Sequence, residues 1–342
     1  MSQKLGKASV KPEEPVYILN SASVVGTKEG QGPLGLLFDK VGEEDMFGCE
    51  TWEDAESSLQ KDAVGMALEK AGLKPEDVSF IFAGDLLGQS IATSFGISTY
   101  QIPLLGVYGA CSTCGESLTL GAMSISGGFA DKVVCVTSSH FASAEKEFRF
   151  PLEYGSQRPL SATWTVTGSG AFVLSGSPGT GAKKARARIT GMTIGKIVDY
   201  GLKDSMNMGA CMAPAAASTL EQHFIDFASQ PGDYDKIITG DLGKVGQKVL
   251  IDLLNDRGYD ISEQHMDCGI EIFDAQTQDT HAGGSGCGCS AVTLSAYILK
   301  QLEENNWKKV LFMPTGALLS KTSFNEGKSV PGIAHGLVIE AL

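Results

Sequence analysis

With 342 residues, 42% of them apolar and 20% charged, the chain is long enough for two domains or two fused halves and too apolar to be disordered. Its 27 basic residues against 40 acidic ones leave a formal charge of -13, which argues against the basic field that non-specific nucleic-acid binding needs. Apolar stretches such as 133–136 are strand-length, and residues 1–15 carry lysines but no apolar h-region, so neither a membrane span nor a secretory leader is expected.

Taken in order, the chain predicts an amphipathic helix over 57–71, then Pro75-x-Asp77 and an apolar strand that closes on Gly84-Asp85-Leu86. A second apolar strand over 102–108 runs into a small-residue turn, Gly109-Ala-Cys111-Ser-Thr-Cys114, followed by a helix to about 126 and a strand over 132–137. Residues 139–166 break this rhythm with His140, Phe148-Arg149-Phe150-Pro151, Tyr154 and Arg158-Pro159. A polar-aromatic excursion of that length after a core strand either caps a pocket or makes a subunit contact. The series then returns: a helix over 215–228, Pro231-x-Asp233 and a strand closing on Gly240-Asp241-Leu242. After it come the turn Gly283-Gly-Ser-Gly-Cys287-Gly-Cys289, a helix to about 303 and a strand over 309–313.

Two similarities in the same order, with helices and strands between them, describe a duplicated α/β unit. The halves are 1–185 and 186–342, with a lid-like insertion at about 139–166 in the first. Helix–strand alternation with short loops implies largely parallel sheets covered by helices, with ligands at the carboxyl ends of the strands. Asp85, Cys111, Asp241 and the 283–286 loop are therefore expected to meet in one cleft between the halves.

Without a leader, the eight cysteines are expected as free thiols, and Cys49, Cys135, Cys211 and Cys268 read as core filler. Cys111 follows a strand and opens a helix, where unpaired N–H groups and the dipole lower a thiol pKa, as at a nucleophile elbow. Three roles stay open for it: pocket wall, inert filler and nucleophile. A four-thiolate zinc site from Cys111, Cys114, Cys287 and Cys289 is disfavoured by the tight second spacing. His140, His281 and His335 all end or follow apolar segments, either as structural histidines or as pocket residues. Arg149 and Arg158 either pair with Glu145 or Glu153 or face a ligand.

Gly109-Ala-Cys111-Ser-Thr, with Gly127-Gly128 closing its helix, resembles the elbow of thiolases and ketoacyl synthases. Ile333-Ala-His335-Gly336-Leu-Val-Ile-Glu340 resembles their last core strand. That resemblance implies a thiolase-like α/β fold, two similar βαβαβ-type halves forming a five-layered α-β-α-β-α core. It also implies an acylated Cys served by a His, and by an Asn or second His, from the later half. At the first of those positions this chain offers Gly240 or Asp241; Gly284 stands at the second, with His281 a few residues early. A carboxylate beside an elbow thiol raises its pKa and repels an enolate, so no catalytic residue is expected. The competing expectation is an acyltransferase with Cys111 as nucleophile and His281 or His335 as base.

A narrower resemblance spans nearly the whole chain. Gly32-Pro-Leu-Gly35, Ala83-Gly-Asp-Leu-Leu87, Thr137-Ser-Ser-His140, Thr167-Gly-Ser-Gly170, Met212-Ala-Pro-Ala-Ala216, Ala282-Gly-Gly-Ser-Gly-Cys287 and Thr315-Gly-Ala-Leu-Leu-Ser320 resemble the stage V sporulation protein AD family of spore-forming bacteria. The resemblance implies a non-enzymatic protein that binds dipicolinic acid (pyridine-2,6-dicarboxylate), as its calcium chelate, and serves its uptake into or release from spores. It implies a peripheral place at the spore inner membrane, membrane proteins of the same sporulation transport complex as partners, and no cofactor beyond calcium delivered with the ligand. A homodimer through the sheet edge is expected by analogy with the fold. The expected ligand set is Asp85, Cys111, Ser139, His140, Arg149, Tyr154, Arg158, Asp241, His281 and His335. In it the arginines pair with carboxylates, Tyr154 or Phe141 stacks, and helix N-termini at Cys111 and Gly286 donate N–H groups. Asp85 and Asp241 would contact calcium, unless the two Gly-Asp turns merely cap helices.

Overall fold

The computed structural model describes residues 3–148, 158–179 and 184–342. The first half contributes strands β1 (Val16–Val25), β2 (Phe80–Asp85), β3 (Leu104–Gly106), β4 (Lys132–Ser139), the short β5 (Trp164–Thr165) and β6 (Gly168–Ser175). Its helices are α1 (Trp52–Ala71), α2 (Ile91–Ile97), α3 (Thr113–Ser126) and α4 (Phe141–Phe148). The second half contributes β7 (Ala187–Thr193), β8 (Lys236–Thr239), β9 (His265–Asp267), the short β10 (Gly284–Ser285), β11 (Lys309–Met313) and β12 (Gly336–Glu340). Its main helices are α5 (Met208–Phe227), α6 (Gly243–Asn255) and α7 (Cys287–Thr293), the last continuing through a π turn at Leu294–Ile298.

The duplication holds strand for strand. The first sheet runs β3-β2-β4-β6-β1 and the second β9-β8-β11-β12-β7, which is the same order of corresponding strands. The expectation of largely parallel sheets needs correction. In each half β2 or β8 is parallel to both neighbours, whereas β6 and β12 are antiparallel to theirs. The reason is the route of the chain. After β4 and after β11 it wanders at the carboxyl end and re-enters the sheet there, with Ser139 beside Gly168 and Phe312 beside Leu337. No helix carries it back to the amino end, so the next strand must be antiparallel. The two sheets join where β7 pairs with the start of β1, Ala187 opposite Ile18.

Helices α1 and α2 cover the outer face of the first sheet, and α5 and α6 that of the second. Between the sheets lie α3 and α7. A helix buried all round needs small or apolar residues on every face, and Cys-Gly-Cys-Ser-Ala-Val-Thr of α7 supplies them, with every residue buried. The central core unites α3, α7 and both sheets through Leu118, Phe172, Leu174, Val292 and Phe312. Helix α1 starts at Trp52, earlier than its apolar spacing indicates, because the Thr51 side chain accepts the Asp54 N–H there. Helix α5 likewise begins ahead of 215, with Pro214 inside it. Among the described residues no helix is long and apolar enough to cross a membrane.

Candidate functional site

From β3 the chain turns through Gly109, Ala110 and Cys111 into α3. Ala110 adopts the left-handed region at φ 53°, a conformation costing roughly 1–2 kcal/mol for a residue with a Cβ. Thr113 Oγ1 stabilises the turn by accepting the Gly109 N–H (3.0 Å) and donating to the Ala110 carbonyl (2.6 Å). Cys111 is thereby set just before the first turn of α3 and buried, at 4% exposure.

Its thiol faces Asp241. That carboxylate accepts from Ser285 Oγ (2.9 Å), from the Gly286 N–H (3.0 Å) and from Thr315 Oγ1 (2.8 Å). Ser285 Oγ lies 3.8 Å from the sulfur. Burial first, then the Asp241 charge, push the thiol well above its ordinary range. Of the opposing influences expected at this elbow, desolvation and a neighbouring carboxylate outweigh the pull of one helix end. Gly286 was a candidate N–H donor for ligand, but Asp241 already takes that N–H.

All five histidines are described, and their hydrogen bonds run elsewhere. His140 Nε2 pairs with the Asp45 carbonyl (2.8 Å) and its ring tilts over Trp52. His281 Nδ1 pairs with the Pro159 carbonyl (2.9 Å) and Nε2 with Asp279 (3.0 Å). His335 Nδ1 accepts the Gly195 N–H (3.2 Å), while His223 joins Thr193 to Tyr234 and His265 joins Thr239 to Gln247.

The remaining expected residues disperse. The Asp85 carboxylate accepts from the N–H (3.0 Å) and hydroxyl (2.8 Å) of Thr93, so it caps the first turn of α2. Ser139 Oγ clamps the Val166 carbonyl (2.7 Å) against the Gly288 N–H (3.2 Å). Arg158 turns to Asp279, bonding its carbonyl (2.6 Å) and carboxylate (3.2 Å), and lies over the Trp164 ring. Its ion pair is thus with Asp279, rather than with Glu145. Phe141 stacks on the same indole at 4.0 Å. Arg149 and Tyr154 lie outside the described residues.

Cys111 opens onto a cavity of only about 30 Å³ between the halves, lined by residues including Tyr108, Glu145, Thr165, Met206, Ser285 and Ala317. That is room for about two waters. Thr165 Oγ1 donates to Glu145 Oε1 (3.0 Å), which places a second buried carboxylate near the thiol. Leu86, Tyr108 and Leu319 separate this inner cavity from a larger chamber of about 250 Å³, whose walls also carry Glu53, Gln89, Ser320 and Lys321.

Residues 6–340 match the family model for stage V sporulation protein AD. The protein of that name from Bacillus subtilis (strain 168) is 44% identical over 335 residues, 98% of this chain and 97% of its own length. The chain belongs to the stage V sporulation protein AD family.

Solved structures similar to this family member include a synthase and a thiolase. The 3-oxoacyl-[acyl-carrier-protein] synthase III of Aquifex aeolicus VF5 aligns with a TM-score of 0.58 at 13% identity, covering 95% of this chain and 99% of that one. Human mitochondrial 3-ketoacyl-CoA thiolase, solved in complex with CoA, aligns at 0.56 and 13% identity, covering 96% and 98%. The fold is thiolase-like, in agreement with the strand order. Sequence reasoning missed Glu145 as a cavity residue, as well as Tyr108, Thr165 and Asp267. Asp267 accepts the Leu242 and Gly243 N–H groups (2.8 and 3.0 Å) and so serves α6 as Asp85 serves α2. None of the four stands in a motif; only the fold collects them.

Proposed function

We propose that this sporulation protein is a binding module that performs no condensation, and that it takes dipicolinic acid as its calcium chelate in the cleft between its halves. In this reading it hands the chelate to, or receives it from, membrane proteins of the same transport complex at the spore inner membrane. The observation that carries the reading is the buried Asp241 carboxylate beside the Cys111 thiol, the two bridged by Ser285 Oγ. A condensing thiol needs a base to take its proton and donors to stabilise an oxyanion. Here the groups around the sulfur spend their hydrogen bonds on an internal carboxylate, and burial first, then Asp241, favours the protonated thiol. Family membership supports the sporulation role, and the lack of a membrane-length helix among the described residues leaves membrane contact to partners.

A second copy belongs to the proposal. Strand β3 is the outermost strand of its sheet, with every residue exposed, and Phe95 and Tyr108 add exposed apolar surface around it. An antiparallel β3 from a second copy would satisfy that free edge about a twofold axis.

Calorimetric titration of the pure protein with dipicolinate, with and without Ca²⁺, tests the reading, alongside incubation with acetyl-CoA and intact-mass measurement. Saturable binding without an acyl adduct is expected. An adduct on Cys111 that turns over would return the chain to the acyltransferases.

A further inference from the structure

We infer that the protein also touches a bilayer directly, through exposed apolar side chains of the 197–202 segment and of the short helix Lys321–Asn325, with neighbouring lysines on anionic lipid headgroups. Such contact is additional to membrane partners and independent of where the small ligand binds.

Backbone pairing brings the two segments together. Thr315–Ala317 and Gly332–Ala334 form an antiparallel ribbon, and the short helix lies in the connection between its strands. The returning chain also pairs with 197–202. Val198 and Gly332 exchange both backbone hydrogen bonds (3.0 and 2.8 Å), and the Val330 N–H reaches the Leu202 carbonyl (2.7 Å). The Lys328 N–H bonds the Ser323 carbonyl (3.0 Å), which ties the helix to that same returning chain.

These segments leave apolar groups in water. Ile197 is 60% exposed, Tyr200 58% and Phe324 47%, and Leu202 is exposed as well. Single exposed apolar side chains are ordinary, but four on two adjoining turns make a patch. Aliphatic and aromatic tips with lysines between them suit the headgroup region of a bilayer. There a tyrosine keeps its hydroxyl wet, and lysine stems lie along apolar surface with their ammonium groups outward.

Charge selects the lipid. The chain carries a formal charge of -13, so an anionic bilayer repels much of its surface. The patch runs against that balance. Lys196 and Lys203 flank the first segment, Lys321 and Lys328 bracket Phe324, and none of the four makes an ion pair among the described residues. Asp199, Asp204 and Glu326 stand against them. Two of these carboxylates are engaged within the patch: Asp199 accepts the Gly201 N–H (2.8 Å) and the Ser329 hydroxyl, and Asp204 accepts the Met206 N–H (2.9 Å). Unpaired ammonium groups beside exposed apolar side chains complement an anionic lipid surface on both counts.

Co-sedimentation of the full chain with vesicles tests this, using pure phosphatidylcholine and an equal mixture of phosphatidylcholine and phosphatidylglycerol. The wild type should pellet with the mixed vesicles, less with the neutral ones, and less again as salt rises. Ile197→Ser/Phe324→Ser should lower partition onto mixed vesicles roughly tenfold or more at an unchanged melting temperature, as the loss of two inserted apolar side chains does. Lys196→Gln/Lys328→Gln should lower it severalfold and flatten the salt dependence. Phe129→Ser is the control: Phe129 is 78% exposed just past the C-terminal end of α3, and its loss should change nothing. A wild type that stays in solution with mixed vesicles overturns the inference and leaves these side chains to a protein partner. So does an Ile197→Ser/Phe324→Ser variant that pellets like the wild type, or a Phe129→Ser variant that loses as much. Vesicle binding is read without dipicolinate, so its failure and a failure to bind that ligand are separate results.

Discussion

Asp85 and Asp241 stand at the same point of the two repeats, yet their carboxylates do different work: Asp85 caps α2 through Thr93, and Asp241 reaches across to Gly286, Ser285, Thr315 and the Cys111 thiol. The duplicated turn has kept its backbone role in one half and become a partner of the elbow in the other. Thiol chemistry should report this. At pH 8, iodoacetamide should label the partly exposed Cys49 well before the buried Cys111. Asp241→Asn removes the carboxylate while keeping an acceptor for the Gly286 N–H, and should speed alkylation of Cys111 severalfold, because one of the causes that raise the thiol is gone. Peptide mapping by mass spectrometry measures both rates. Cys111 alkylating first in the wild type would contradict the geometry.

Because Asp241 has left the cap position, α6 depends on Asp267, which accepts from the Leu242 and Gly243 N–H groups and from Thr239 Oγ1 at 2.6 Å. Asp267→Ala leaves those buried donors without a partner and should cost about 2–4 kcal/mol, as unsatisfied buried hydrogen-bonding groups do. Asp267→Asn, which can still accept, should recover part of the loss. Urea denaturation of the variants gives the numbers, and an alanine variant as stable as the wild type would remove Asp267 from this role.

Much of this arrangement was legible in the sequence wherever local chemistry dictates it. The Pro-x-Asp, strand and Gly-Asp repeats marked β2 and β8, the small-residue turns marked α3 and α7, and the pairing of Cys111 with Asp241 followed from a thiolase-like elbow lacking its imidazole. What could not be read depends on where the chain returns. Strands β6 and β12 re-enter antiparallel after irregular excursions, and no period in the sequence states the direction of a strand. Arg158 and Asp85 are of the residue types that bind ligands, but their partners, Asp279 and Thr93, are fixed by loop paths. His140 ends a strand as an active-site histidine would, and only the packing of Trp52 and the Asp45 carbonyl shows it to be held in the core.

The exposed edge of β3 predicts self-association. Leu105, at 50% exposure, lies in the middle of that strand, so Leu105→Lys places a charge on each copy near the twofold axis. Light scattering behind size exclusion should show a dimer for the wild type and a monomer for the variant, with unchanged circular dichroism. A monomeric wild type at tens of micromolar would rule this edge out as an interface.

The last prediction concerns Glu56, fully buried on α1. Its carboxyl accepts from Ser138 Oγ (2.8 Å) and Ser143 Oγ (2.6 Å), and burial first, then the nearby Asp85, raise it from 4.5 to about 7. A carboxyl whose pKa is raised by folding binds its proton more tightly in the native state. Its contribution to stability is therefore complete below about pH 4.5 and is lost as the pH rises through about 7, on the order of 3 kcal/mol in all. Four buried histidines, whose charged forms the fold disfavours, change the stability with the opposite sign as the pH rises, so the quantity to measure is the difference between the wild type and Glu56→Gln. Urea unfolding of both at pH 5 and pH 8 should show the wild type losing more stability than the variant across that interval. Parallel losses would mean that Glu56 keeps its ordinary ionisation inside the fold, and that its two serine donors outweigh the desolvation of the charge.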